Sequence, residues 1–474
     1  MLSIIKNFNN LINLVREKTF YFVYSYFFPV LTALISLVFW IADLQIIGLI
    51  VVAVIGCFVL IVYDDFLPFA PIMFIIPMCF RDTNEAISQS LAPFIVGFSI
   101  LVLAIFFNIF RYSIKITLDK FFYMLLGIVT LFVIAGVFAG NFDNYFKAVD
   151  LLAISAISPL AIHFFFYNKI NLNSKVDYRK YFWFCFICAI TLAAVQLFYV
   201  YFYVKFIGRW SLGNMPGGFC WANSNHVANI ILLAVPLCCY MMLSSKRLWA
   251  WFIELIFLYA TVFLSGSHGG LATLLVFTPF LMYTLYDKSY RSTRQFLCYA
   301  YFILIALSVL ALAVLCLFFY DEFSNFIIVS SSGNGRIYPY NVALECFFKN
   351  PILGVGFGNG NVSLESIKPA HNVNGLFHST FFHILACAGL VGIIVYVIYY
   401  LVRIKYLAKG NTLLGYFAIL SLLMFAVYGM VENSEFNIVL MFMTTIITVV
   451  GLMNKKGSDD KPLPLYLKIP NFNI

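Results

Sequence analysis

Apolar segments of about 20 residues follow one another along nearly the whole chain, and few folds accommodate such a sequence. Each segment has about the length that an α-helix needs to cross the hydrocarbon core of a bilayer. About fourteen can be counted, the first near residues 20–41 and the last near residues 434–453. Charged residues make up only 10% of the chain, whereas they make up about 25% of a soluble domain. The sequence therefore predicts an all-α polytopic membrane protein with about 12 to 14 transmembrane helices.

One of these segments, near residues 66–80, differs from the others because it is short and contains Pro68, Pro71 and Pro77. Proline inside a helix removes a backbone hydrogen bond and bends the helix. We expect this segment to be bent or re-entrant, and a full span is the alternative.

The lysine and arginine residues indicate how the chain is oriented. Most of the 29 lie in loops that share one side of the membrane if both termini are cytoplasmic. Cytoplasmic loops of membrane proteins carry such an excess of basic residues. This pattern predicts a multi-pass protein of a cytoplasmic membrane with both termini in the cytoplasm. The net charge of +9 then reflects topology and does not indicate nucleic-acid binding.

A long polar segment, residues 321–377, is the main interruption of the apolar pattern, and the predicted topology places it outside the cytoplasm. From Arg336 to Asn350, apolar residues recur with the spacing of an amphipathic helix. Glu345 lies on the polar face of this helix, which is either a solvated stripe or a sugar-binding one. The glycine-rich run 354–360 predicts a compact turn back to the membrane, because it lacks the strand and helix that flank a nucleotide-binding loop.

Two arginines, Arg209 and Arg336, lie in outer loops, against the preference of basic residues for the cytoplasmic side. An anionic ligand at the outer face would account for both. The alternative is that long outer loops tolerate basic residues without a ligand.

Two histidines, His371 and His378, fall within and directly after the same polar segment. Single histidines are more often packing residues than catalysts, but two of them near Arg336 and Glu345 favour acid–base chemistry. Their spacing matches no common set of zinc ligands and no cysteine cluster accompanies them. No metal site is therefore predicted.

Two shorter outer segments contain further candidates. The loop 208–226 carries Arg209 and ends beside Asn225, a residue that is also suited to cap the next helix. The turn 265–270 places His268 at the start of a helix, where backbone N–H groups favour an anion. As a tight turn, this second segment needs no function.

Taken together, several of these motifs resemble the bacterial O-antigen ligase and polysaccharide polymerase superfamily. In this chain Arg336 begins a helix that ends in the Pro-x-x-Gly-x-Gly turn 351–356, as in the family. His378 starts an apolar span eleven residues before Gly389, which also matches the family spacing. The resemblance extends over about residues 209–453.

Two positions differ from the pattern of the family. His268 stands where the family has the arginine of a Ser-Arg-Gly turn. The family histidine is commonly followed by asparagine, and that pair occurs here as His371-Asn372, whereas the distance to the glycine favours His378.

The resemblance implies a GT-C-like fold and a metal-independent, inverting glycosyltransferase that needs no cofactor. Its donor would be a glycan on undecaprenyl diphosphate, and its acceptor a hydroxyl of a glycan or lipid-linked glycan at the outer face of the bacterial cytoplasmic membrane. Arg209 and Arg336 would neutralise the diphosphate. His378 would be the general base, with His371 as the second choice. Further candidate substrate-binding residues are His268, Asn225 and Glu345.

The predicted organisation is a set of N-terminal transmembrane helices in residues 1–207, a ligase- or polymerase-like core in 208–453 and a cytoplasmic tail in 454–474. A ligase and a repeat-unit polymerase use the same donor, and the sequence leaves both open. A flippase or transporter of lipid-linked oligosaccharides also fits the number of spans. Such transporters tend to show two related halves, and no internal repeat is evident here.

Overall fold

A computed structural model describes residues 2–79, 91–112, 118–137, 156–169, 178–199, 224–245, 247–288, 334–357, 377–409 and 412–452. All the elements in these residues are helices. In chain order the α-helices are α1 (Leu2–Val23), α2 (Phe27–Ile41), α3 (Gln45–Val62), α4 (Ala70–Ile75), α5 (Leu91–Tyr112), α6 (Lys120–Val137), α7 (Ser158–Lys169), α8 (Tyr178–Tyr199), α9 (Ser224–Ser244), α10 (Leu248–Leu264), α11 (His268–Lys288), α12 (Asn334–Lys349), α13 (Thr380–Lys409), α14 (Leu413–Gly429) and α15 (Ile438–Leu452). The prediction of an all-α polytopic membrane protein is confirmed in this coarse form.

Five helical segments in the described residues are long and apolar enough to cross a membrane: Gln45–Val62, Tyr178–Tyr199, Asn225–Ser244, Gly269–Asp287 and Thr380–Lys409. The pair Asn9–Val23 and Phe27–Ile41, bent by 84°, adds a sixth if it forms one span. Shorter apolar helices follow the same pattern, among them α14 and α15. The predicted span near residues 296–320 lies outside the described residues, and the number of about fourteen spans stays a prediction.

The chain divides into two compact units. The first comprises Met1–Thr117, Phe165–Trp210 and Asn214–Val227. The second comprises Leu118–Phe164, Ser211–Gly213 and Ala228–Ile474.

In the first unit, α3 packs against α2 and α5, and α8 packs against α2 and α4. The proline-rich segment lies here as three short pieces, the 3₁₀-helices Leu67–Phe69 and Ile76–Cys79 with α4 between them. A proline stands at the start of each of the first two pieces. The prolines thus coincide with changes between 3₁₀- and α-helix, and almost all of the segment is buried. The expectation that it is bent or re-entrant stays a prediction.

In the second unit, α13 is the central helix, because it packs against α6, α12, α14 and α15. It is broken at Gly389, where φ is 61° and ψ is −155°. A side chain built at Gly392 would lie 3.0 Å from the Cγ2 atom of Ile384. Ile384 and Gly392 are eight positions apart, and in a straight helix their backbones would be separated by about 12 Å. The short distance between them shows that the chain folds back sharply at the break. Residues 390–409 are about 30 Å long, enough to cross a bilayer core.

The turn 351–356 supplies the backbone hydrogen bonds that the break removes from α13. Val355 and Gly356 donate to the carbonyls of Ala386 and Cys387 at 2.9 and 2.8 Å. On the other side of the break, Leu390 and Val391 donate to the carbonyls of residues 351 and 352 at 2.9 and 3.1 Å. Unpaired backbone groups are costly inside a membrane, and this exchange pairs them. The sequence predicts only a compact turn for this glycine-rich segment. In the structure the Pro-x-x-Gly-x-Gly motif also hydrogen-bonds to the broken helix.

Close approach explains why glycines are needed at this junction. A side chain at Gly389 would meet the Ile352 carbonyl carbon and oxygen at 2.6 Å. One at Gly354, whose φ is 73°, would meet the main chain of Cys387 and Ala388 at 2.4 and 2.5 Å. The two glycines let the turn and the broken helix lie in direct backbone contact.

Candidate active site

His378 is the second residue before α13 begins, and its backbone has an unusual conformation. Its φ of 51° lies in the left-handed region, which residues other than glycine seldom adopt. Its neighbours Phe377 and Ser379 are fully buried, each at 0% exposure. The His378 side chain, in contrast, is 47% exposed. The local backbone therefore directs the imidazole away from the packed interior. In this position the imidazole is accessible to another molecule.

A buried carboxylate lies beside this imidazole. The Nδ1 atom of His378 is 3.8 Å from Oε1 of Glu432, whose side chain is only 5% exposed. Glu432 lies in the short connection between α14 and α15. Its position is fixed from two sides. Thr380 donates to its carbonyl oxygen from both the backbone N–H and the hydroxyl, each at 3.1 Å, and the Asn433 N–H donates to its carboxylate at 3.2 Å.

The sequence reasoning did not identify Glu432. A signal was present, because residues 432–435 read Glu-Asn-Ser-Glu between two strongly apolar helices. All four are buried, at 0 to 4% exposure. Ionisable residues at such positions in membrane proteins usually have a functional or structural partner.

The helix α12 reaches the same place through Tyr340. The Tyr340 hydroxyl donates to the carbonyl oxygen of His378 at 3.4 Å, and its ring stacks on Phe382 with centroids 4.4 Å apart. Arg336 is four residues earlier on α12, which is about one helical turn or ~6 Å along the axis. The backbone of Arg336 therefore stands about one turn from the contact with His378.

The surface helix predicted from Arg336 onward is confirmed as α12. One face is buried through Val342, Ala343 and Cys346. Glu345 lies on the exposed face, in agreement with the amphipathic pattern of the sequence.

The turn 265–270 is held by its own hydroxyl groups. The Ser267 hydroxyl accepts from the Gly270 N–H at 3.2 Å and pairs with the Tyr428 hydroxyl at 2.9 Å. The Ser265 hydroxyl accepts from the Ser267 N–H at 3.2 Å. His268 is the first residue of α11, as expected. The simpler interpretation as a tight turn accounts for all these contacts.

The remaining predicted residues are placed as follows. Asn225 lies in the first turn of α9 and is partly exposed. Arg209 and His371 lie outside the described residues. Within the part of the chain that the structure describes, no three His, Cys, Asp or Glu side chains are grouped so that they could hold a metal ion.

This arrangement is suited to proton transfer. An accessible imidazole can accept a proton from a hydroxyl group, and a neighbouring carboxylate stabilises the charge that the imidazole then carries. The separation of 3.8 Å is longer than a hydrogen bond. Catalytic contacts of this kind are often long before substrate binds and shorten in the complex.

Part of this chain matches a known protein family. No curated protein matches the chain. A family model described as O-Antigen ligase matches residues 253–397, which include α12, His378 and the break in α13. Residues 253–397 are thus similar to the O-antigen ligase family, which confirms the resemblance to the O-antigen ligase and polymerase superfamily that the sequence motifs predict.

Proposed function

We propose that the protein is a ligase-type glycosyltransferase, which moves a glycan from undecaprenyl diphosphate to an acceptor hydroxyl at the outer face of the bacterial cytoplasmic membrane. The match to the O-antigen ligase family supports glycosyl transfer from a lipid-linked glycan in general. The acceptor would be a glycan or a lipid-linked glycan, in the synthesis of a cell-surface polysaccharide.

One observation carries this proposal: the exposed imidazole of His378 stands 3.8 Å from the buried carboxylate of Glu432. A transferase needs a base for the acceptor hydroxyl, and this pair supplies one.

In the proposed reaction, His378 takes the proton of the acceptor hydroxyl while the oxygen attacks the anomeric carbon of the donor sugar. The bond from this carbon to the diphosphate breaks, and undecaprenyl diphosphate leaves with the bonding electrons. Such a single displacement inverts the configuration of the sugar. The Glu432 carboxylate stabilises the imidazolium that forms, as the carboxylate partner of a catalytic histidine does in other enzymes.

The leaving diphosphate needs positive charge, and we propose that Arg336 and Arg209 supply it. A guanidinium can pair with phosphate oxygens through two parallel hydrogen bonds. The position of Arg336 in α12, one turn before Tyr340, supports a diphosphate site close to His378.

The other predicted residues are candidates for substrate binding. Glu345 on the exposed face of α12 would contact a sugar. His268 and Asn225 each lie in the first turn of a helix, where a phosphate is favoured. His371 is the alternative base. Both termini would be cytoplasmic, with this site on the opposite side of the membrane.

The test uses the purified full-length protein in lipid nanodiscs, with an undecaprenyl-diphosphate glycan as donor and a hydroxyl-bearing glycan as acceptor. Transfer is measured by the mass of the product. We expect His378→Ala and Arg336→Ala each to abolish transfer while the protein stays inserted and folded. Lys405→Ala, an exposed basic residue near the other end of α13, is the matched control for lost charge and should transfer normally.

Near-normal transfer by both site variants would overturn the assignment of the residues. If the wild-type protein moved the lipid-linked glycan across the bilayer and transferred none, the transporter alternative would replace the enzyme. Product length separates the two enzymatic alternatives, because a ligase adds one preformed glycan and a polymerase yields a ladder of repeat units.

A further inference from the structure

Two charged side chains are buried inside the helical part of the second unit. Arg403, on α13, is 1% exposed, and Glu435, between α14 and α15, is 4% exposed. The hydropathy of α13 marks it as a candidate membrane span, and Arg403 lies within it. Burying a charged side chain is costly unless hydrogen bonds compensate for the lost water. The partners of these two side chains therefore indicate what each one does.

Arg403 ties α13 to α15. Its Nε donates to the Thr448 hydroxyl at 2.9 Å, and its Nη2 donates to the Thr444 carbonyl at 2.6 Å. The guanidinium also lies over the rings of Tyr399 and Tyr400, at 4.9 and 5.6 Å from their centres. These contacts fix the face of α13 that carries both tyrosines.

Tyr400 connects this face to the segment that contains Glu432. Its hydroxyl donates a short hydrogen bond to Oε1 of Glu435, and its ring packs edge-to-face with Tyr396, with centroids 5.0 Å apart. Glu435 belongs to the 3₁₀-helix Ser434–Phe436, only three positions after Glu432.

The connection between these two glutamates is itself tightly held. The Ser434 N–H donates to the Glu432 carbonyl at 3.0 Å, and the Asn229 amide donates to the Ser434 hydroxyl at 2.5 Å. Because Glu432 and Glu435 belong to the same hydrogen-bonded turn, a displacement of the backbone at Glu435 would also change the position of Glu432.

Room for such a displacement exists. A cavity of about 30 Å³ borders Glu435 and is lined mainly by apolar residues of α6 and α13. A space of that size admits a water molecule or a small shift of a side chain. The hydrogen bond from Tyr400 is what holds the carboxylate at its place beside the cavity.

We propose that Arg403, Tyr400 and Glu435 are positioning residues, which hold Glu432 beside His378 from within the membrane. This proposal rests on the proposed function, because the placement of Glu432 matters only if His378 acts as the base. None of the three side chains touches substrate, and their effect passes through Glu432.

Two tyrosine variants provide a matched test. Tyr399 and Tyr400 are neighbours, and both lie against Arg403. The Tyr400 hydroxyl donates a hydrogen bond to Glu435, whereas the Tyr399 hydroxyl lies near Thr445 instead. In the nanodisc transfer assay, Tyr400→Phe should lower kcat about tenfold with KM for the donor unchanged, and Tyr399→Phe should stay within about twofold of wild type. A merely structural role would lower the yield and thermal stability of both variants, with normal kcat per folded molecule.

A double-mutant cycle tests the route through Glu432. If Tyr400 acts through Glu432, Tyr400→Phe causes no further loss of kcat in a Glu432→Gln background. The proposal would be overturned if the double variant lost kcat by the product of the two single losses. It would also be overturned if Tyr399→Phe and Tyr400→Phe had equal kcat values.

Two variants of Glu435 provide a second test if Tyr400→Phe does not insert into the membrane. Glu435→Gln keeps an acceptor for Tyr400, and Glu435→Ala does not, so the first should retain more of the wild-type kcat. Equal losses of kcat in both would contradict the positioning role. If wild-type transfer is real and His378→Ala abolishes it, these outcomes bear on the positioning residues alone. Absence of wild-type transfer would instead remove the proposed function.

Discussion

The Nδ1 atom of His378 and the Oε1 atom of Glu432 lie 3.8 Å apart, with the imidazole exposed and the carboxylate buried. Two different connections bring them together, the start of α13 and the link from α14 to α15. The backbone of Thr380 joins these connections directly, since it donates to the Glu432 carbonyl. This relationship between an accessible base and a fixed carboxylate leads to the first prediction.

Replacing Glu432 should impair transfer without preventing folding. We expect Glu432→Gln to lower kcat about 10- to 100-fold, because the amide keeps the shape but loses the charge that stabilises a protonated His378. The measurement is steady-state transfer by purified protein in nanodiscs. Glu17→Gln, at an exposed position of α1, is the control for loss of one carboxylate. A Glu432→Gln enzyme with normal kcat would show that the carboxylate has no part in the reaction.

Gly389→Ala should destabilise the second unit. Its φ of 61° and ψ of −155° belong to a region that is essentially restricted to glycine. The added Cβ would also meet the Ile352 carbonyl carbon and oxygen at 2.6 Å. We expect a loss of about 1–3 kcal/mol or more, seen as a lower thermal unfolding midpoint in detergent, together with loss of transfer.

The matched control for this glycine is Gly127→Ala in α6. A side chain at Gly127 would meet nothing within 4 Å, and alanine favours the helix by about 1 kcal/mol over glycine. Equal unfolding midpoints for Gly389→Ala and the wild type would mean that the break in α13 is not required for the fold.

Tyr340 should contribute mainly through its ring. Its hydroxyl contact to the His378 carbonyl is long, at 3.4 Å, whereas its ring stacks on Phe382 at 4.4 Å. We therefore expect Tyr340→Phe to keep transfer within about threefold of wild type and Tyr340→Ala to reduce it about tenfold. Transfer rates of the two variants at saturating donor decide this. Equal losses would assign the contribution to the hydroxyl.

Asp119, directly before α6, should make stability depend on pH. Its carboxylate lies 3.1 Å from Nε2 of His163 and accepts from the Phe122 N–H at 2.9 Å. Burial alone raises the pKa of Asp119, but these hydrogen bonds outweigh burial and leave the pKa below its usual 3.8. The ionised carboxylate thus stabilises the folded state above the pKa of the unfolded chain. That contribution is lost as the pH falls through the folded pKa.

Asp119→Asn should accordingly lower the unfolding midpoint by about 2 °C or more at neutral pH. The difference from wild type should shrink as the pH falls below about 3.8. Thermal unfolding from about pH 7 to about pH 3 measures this, with Glu17→Gln as the exposed control. A difference that does not change with pH would mean that the charge of Asp119 does not stabilise the fold.

Local features of this chain were readable from its sequence. Segment length and apolar composition predict membrane helices, because a bilayer imposes the same length on each span. Helical spacing predicts α12 from Arg336 onward, and the prolines of residues 66–80 mark the segment that forms two 3₁₀-helices and α4. The short motifs around Arg336 and His378 were sufficient to indicate the superfamily. These signals are local because propensity and periodicity depend on neighbouring residues.

Only the tertiary structure decided which distant residues meet. Glu432 lies beside His378 because α14 packs on α13, and no pattern near either residue encodes that packing. In the same way, the turn 351–356 pairs with the broken helix at Gly389 because backbone groups buried in a membrane must find partners wherever the fold offers them. Local sequence patterns predict individual helices and the residue types available for chemistry. The packing of α12, α13 and α14 decided that a surface helix, a histidine and a buried carboxylate form one site.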